Sequence, residues 1–148
     1  MYLKEKQIVV SLAGIVLTYL FYSLYIYNHY IAGNLEILND FRFWGKSFLV
    51  LIPIAIVVQI IISIIFAIIN KILTDEDIPA RSDERDKLIE LKAIRVSHWI
   101  FTAGFGMAMG SLAMGMKPAT MFLLLMSSVL LASVTSEIVK LIYYRRGF

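Results

Sequence analysis

The sequence contains no cysteine, three prolines and two histidines. Disulfide frameworks, thiol redox centres, iron–sulfur clusters and Cys-based zinc sites are therefore excluded. His29 and His98 lie far apart in sequence, which leaves little material for His-rich metal sites or Cys–His hydrolysis. Charge is also scarce: Asp, Glu, Lys and Arg make up 17% of the 148 residues, against about 25% in soluble domains. P-loop, dinucleotide-fingerprint, H-E-x-x-H and nucleophile-elbow patterns are missing too, and no catalytic residue or cofactor is expected.

What fills the chain instead is apolar. Apolar residues reach 59% and gather in blocks rather than alternating with polar ones. Four blocks approach the roughly 20 helical residues needed to cross a hydrocarbon core of about 30 Å: residues 8–27, 48–69, 96–114 and 119–142. The first follows Lys4-Glu5-Lys6, but it is longer than a signal-peptide core and no small-x-small cleavage site follows. It is expected to be a retained helix. The expected fold is all-α: a single membrane domain over 1–148, built as a four-helix bundle.

Basic residues set the orientation. With a cytoplasmic N-terminus, the inner segments hold Lys4, Lys6, Lys71, Arg81, Arg85, Lys87, Lys92, Arg95, Lys140, Arg145 and Arg146. The outer loops hold Arg42, Lys46 and Lys117. Eleven against three predicts both termini inside, and this bias accounts for the formal +3 without direct nucleic-acid binding. Residues 28–47 carry Leu35, Leu38, Phe41 and Trp44 at helical spacing, which predicts an amphipathic turn along the membrane surface. Residues 115–118 make so short a link that spans three and four should form an antiparallel hairpin, with Pro118 in the first turn of the fourth.

The one extended polar segment is 70–95. Ser82 is the expected N-cap of a helix that continues into span three as a cytoplasmic extension, with Asp83, Glu84 and Asp86 in its first turn, where the helix dipole favours acids. The run Asp83-Glu84-Arg85-Asp86-Lys87-Leu88-Ile89-Glu90-Leu91-Lys92-Ala93, followed by Arg95, Ser97 and an apolar span, resembles a signature of small uncharacterised bacterial four-span membrane proteins. Genes of those proteins often neighbour a helix-turn-helix regulator. The resemblance implies a bacterial cytoplasmic membrane and a regulatory context; it carries no activity across. It makes Asp83, Glu84, Arg85, Asp86 and Lys87 the candidate surface for a cytoplasmic regulatory protein.

Several side chains compete for a role inside the bilayer. Glu137 and Lys140 are three apart on one helical side and can pair, with Arg95 and His98 at similar depth on span three. An ion or proton role for this group stands against simple pairing at the interface. Span one lines up Ser11, Gly14, Thr18, Tyr22, Tyr25 and His29, and span two offers Gln59 and Ser63. Thr18, Tyr22, Tyr25 and Gln59 could line an outward-opening polar cavity, or the stripes could only hydrogen-bond between helices. Gly106 and Gly110 form a G-x-x-x-G pair expected at a helix–helix contact, within the chain or in a homodimer. Methionines near the outer end of the last hairpin are expected to pack rather than bind copper, since helical residues two apart point in opposed directions. The acidic run Asp75, Glu76, Asp77, Asp83, Glu84 and Asp86 lacks calcium-loop spacing and is interleaved with bases, so no metal site is expected. Two functions remain: a non-enzymatic sensor or regulatory partner presenting 70–95, or a small oligomeric transporter or channel using the polar faces of spans one and four.

Overall fold

A computed structural model describes residues 2–75 and 83–146. Four long helices account for nearly all of them: α1 (Tyr2–Ile26), α2 (Phe41–Thr74), α3 (Glu84–Ala113) and α4 (Pro118–Arg146). α1, α2 and α4 are long and apolar enough to cross a membrane. At 1.5 Å per residue the 34 residues of α2 extend about 50 Å, well beyond a hydrocarbon core. In an apolar medium such helices satisfy their own backbone groups, which is why the chain is built this way.

The ends of the helices follow from local chemistry. α1 passes into a π-helical turn, Tyr27–Ile31, and a 3-10 turn, Leu35–Asn39, leads to α2. The Asp40 side chain accepts hydrogen bonds from the Arg42 and Phe43 amides, so α2 starts at Phe41, seven residues before its apolar run. This corrects the expected surface turn: Phe41 and Trp44 belong to α2. Trp44 is buried, its indole N–H donating to the Ile37 carbonyl. α2 runs unbroken through Pro53 and stops at Asp75, whose left-handed conformation returns its amide to the Lys71 carbonyl.

Ser82 lies outside the described residues, and the cap of α3 is Asp83. Asp83 and Asp86 form a reciprocal capping box. Between α3 and α4, Gly115 takes a positive φ of 75° and donates to Leu112, while Met116 donates to Ser111. That paired arrangement closes the helix end within a few residues. Pro118 then opens α4, as expected.

α4 is the hub. α1, α2 and α3 all pack on it, and α1 also packs on α2. α3 meets α4 through a stripe of Ile89, Ala93, Gly104, Ala108 and Ser111. A Cβ added to Gly104 would overlap the Ser128 side chain, so this residue type sets the approach of the two helices. Gly106 and Gly110 do not make that contact. A Cβ on either would meet nothing within 4 Å among the described residues, because Gly106 is two positions from Gly104 and faces round the helix. The packing pair is Gly104 with Ala108, which corrects the expected Gly106–Gly110 contact within the chain.

Candidate functional site

Because α3 leans on α4 rather than on α1 and α2, space is left between α3 and the α1–α2 pair. Polar side chains from all four helices border it. Two adjoining clefts of about 370 and 730 Å³ share Ser11, Ser63 and Glu137. The smaller one opens at the end of the bundle where α1 begins and α4 ends, here called the terminal end. Lys4, Asp86, Glu90, Lys140 and Tyr144 join its wall. Gln59, Ser97, His98, Ser133 and Ser136 border the larger one. A third, about 460 Å³, shares Gln59 and Ser133 with it and adds Thr18 and Tyr19.

Glu137 and Lys140 pair at 2.9 Å, with side chains 13% and 25% exposed. The pair is half-withdrawn from solvent, so removing either partner would leave the other charge poorly compensated. His98 borders the same cleft, whereas Arg95 is exposed and is not on its wall. Among the described residues no group of three His, Asp or Glu side chains could hold a metal ion.

The polar stripe of α1 divides. Gln59 Nε2 donates to the Ser11 carbonyl at 3.1 Å, and Gly14 lets α2 approach there: a Cβ would overlap Ile62. Thr18 donates back to the Gly14 carbonyl. Tyr22 donates to the Ser47 carbonyl, bridging α1 to α2. It borders a separate, almost wholly apolar pocket of about 440 Å³ with Trp44, Phe122 and Met126. Tyr25 is exposed and stacks on His29 at 4.4 Å. Thr18, Tyr22, Tyr25 and Gln59 thus do not line one cavity. The Tyr22–Ser47 bridge ties α1 to α2 where an opening was expected, the pocket beside it is almost wholly apolar, and the polar clefts lie toward the opposite end.

At the terminal end a latch joins three helices. Asp86 accepts from Lys4 of α1 and, at 2.7 Å, from the Tyr144 hydroxyl of α4. Its Oδ2 also accepts from the Asp83 amide at 3.0 Å. Two of the five expected partner-facing residues, Asp83 and Asp86, are therefore engaged within the chain, because cap and latch both draw on their carboxylates. Glu84, Arg85 and Lys87 are exposed. Sequence reasoning missed the latch. Lys4 and Tyr144 are 140 positions apart, and only the placing of both termini at one end brings them to a common depth. Glu76 and Asp77 of the acidic run lie outside the described residues.

No protein-family model, curated protein or solved structure matches the chain.

Proposed function

We propose that the chain is a non-enzymatic, four-span protein of the bacterial cytoplasmic membrane, with both termini inside, that acts as a regulatory partner of a cytoplasmic protein. The observation that carries this is the two-sided stem Glu84–Arg95 at the start of α3. One side is held by the Asp86 latch and by Ile89 and Ala93, 1% and 0% exposed. The other side leaves Leu88 and Leu91 exposed beside Glu84, Arg85 and Lys87. Apolar side chains ringed by mixed charge suit a protein partner, with the charges steering the encounter.

The excess of Lys and Arg at the terminal end supports the orientation. α3 is the least apolar of the four helices, and its packing along α4, which buries Gly104, Ala108 and Ser111, supports it as a span. The resemblance of Asp83–Ala93 to a regulator-linked bacterial group points the same way.

The experiment is capture from native membranes, comparing the wild-type chain with Arg85→Glu/Lys87→Glu at equal amounts of folded protein. Reversing two exposed charges alters stability by only about 0–1 kcal/mol each, so folding survives and a partner is lost. An unchanged set of captured proteins overturns the charge-steered partner. Cysteines at Asn34 and Lys117 should react with an impermeant thiol reagent in intact cells, and one at Glu84 should not.

One observation favours a second function, ion or proton transport: the successive clefts that share Glu137 and Gln59. An ionisable group bordering a cavity within a span is a natural ion or proton site. Flux in proteoliposomes that is present in wild type and lost in Glu137→Gln would establish it; wild-type flux no greater than that of empty liposomes would remove it.

A further inference from the structure

The larger of the two adjoining clefts, about 730 Å³, has a one-sided chemistry. Its wall holds one carboxylate, Glu137, one histidine and no lysine or arginine. Five serines join that wall, and four of them have already committed their only hydroxyl proton. Ser63 and Ser133 donate at 2.8 Å to the Gln59 and Val129 carbonyls, Ser97 at 3.1 Å to Ile94, and Ser11 at 3.4 Å to Gln59 Oε1. What these hydroxyls still offer the cleft is oxygen lone pairs. The wall is therefore rich in acceptors, with a carboxylate among them, and it suits a cation that carries N–H donors.

Glu137 can take such a cation although it is already paired. It borders both clefts, whereas Lys140 borders the smaller one alone. Lys140 donates to Oε1 at 2.9 Å, and Oε2 has no hydrogen-bond partner among the described residues. A carboxylate has lone pairs on both oxygens, so a second cation can bind from the side of the larger cleft. Ser11 and Ser63 also border both clefts, which puts two hydroxyl oxygens and a carboxylate at their junction. A primary ammonium has three N–H groups to match them. A bare metal ion would leave most of the space empty, and a cleft of this size is in the range that holds organic ligands. Ile15, Ile94, Phe101 and Val129 make the rest of the wall apolar, which suits an alkyl or aryl body.

We propose that the larger cleft binds a small primary organic ammonium ion, which donates to Glu137, Ser11 and Ser63 and lays its apolar body along Phe101 and Val129. A quaternary ammonium has the charge but no N–H to give. A neutral alcohol has a donor without the charge, and hydrogen bonds to charged groups are the stronger ones. A carboxylate ligand would meet Glu137 with like charge. An aminophospholipid has the ammonium, but its phosphate would lie near Glu137 on a wall without lysine or arginine. This inference rests on the transport function proposed above and names its ligand class. Binding is read at equilibrium and flux across a membrane, so binding without flux keeps the site and removes transport alone.

The test is isothermal titration calorimetry of the full chain in a non-ionic detergent, with the heats of protein-free micelles subtracted. Four probes share one ring: phenethylammonium, trimethyl(phenethyl)ammonium, 2-phenylethanol and 3-phenylpropionate. Phenethylammonium should bind saturably, about tenfold or more tighter than the quaternary and neutral probes, as hydrogen bonds to a charged group imply. The anionic probe should not bind. Glu137→Gln should weaken phenethylammonium about tenfold or more, and Ser63→Ala, which removes one neutral acceptor, about threefold. Absence of saturable phenethylammonium binding overturns the proposal. So do equal affinities for the primary and quaternary probes, displacement of phenethylammonium by phosphatidylethanolamine doped into the micelles, or an affinity unmoved in folded Glu137→Gln. If Glu137→Gln does not fold, Ser63→Ala decides, because Ser63 is exposed and its loss spares the packing of α2. An unchanged affinity there overturns the proposal as well.

Discussion

α2 and α3 are opposites. α2 is the most apolar helix and buries only Trp44 and Leu51, while Ile56, Ile60, Ile64 and Ile68 stay exposed. α3 is the least apolar, yet it buries a stripe of five residues, mostly small, along α4. In water the order would be reversed, since burial would follow hydropathy. Lipid offers isoleucine as good a surrounding as another helix does, so hydropathy takes a helix into the bilayer without deciding what it touches. Close approach decides that, and close approach needs small residues such as Gly104, Ala108 and Ser111.

The sharpest way to break this comparison is Gly104→Val. The added side chain collides with Ser128 at a helix–helix contact, and overpacking of this kind costs about 1–3 kcal/mol. Thermal unfolding in detergent should show a clear loss, whereas Gly106→Val, the same change two residues away in open space, should show almost none. Equal effects at the two glycines would mean that α3 is held by something other than its contact with α4.

A smaller effect is expected at Gly14→Ala, on the α1–α2 contact. There the colliding atom is the flexible tip of Ile62, which can rotate away, so the cost should stay under about 1 kcal/mol. The comparison sharpens if α1–α2 tolerates this change while α3–α4 does not tolerate its counterpart. Smallest of all should be Ile64→Leu on the exposed face of α2, where unfolding should not shift measurably. A large loss there would show that α2 has a packed neighbour.

Much of this architecture is legible in the sequence, and the misses have physical causes. The apolar runs mark the helices because their length must match a hydrocarbon core. Their ends are less legible: Asp40 extends α2 back to Phe41 by capping, a signal that hydropathy blocks ignore. Gly104-x-x-x-Ala108 was as visible as Gly106-x-x-x-Gly110, but a small-residue pair does not say which side of its helix meets a partner. The Glu137–Lys140 pair was readable because its spacing is local. The Lys4–Asp86–Tyr144 latch and the Glu5–Arg145 contact were not, because they join residues whose proximity depends on how three helices stand together.

Asp86 has a consequence of another kind. One carboxylate closes the first turn of α3 through the Asp83 amide and holds that turn to α1 and α4 through Lys4 and Tyr144. Helix ends ordinarily fray on their own, at little free-energy cost and without disturbing their neighbours. Here fraying and undocking draw on a single side chain. Losing the Asp86 carboxylate would therefore loosen the first turn of α3 and its hold on the start of α1 and the end of α4 together.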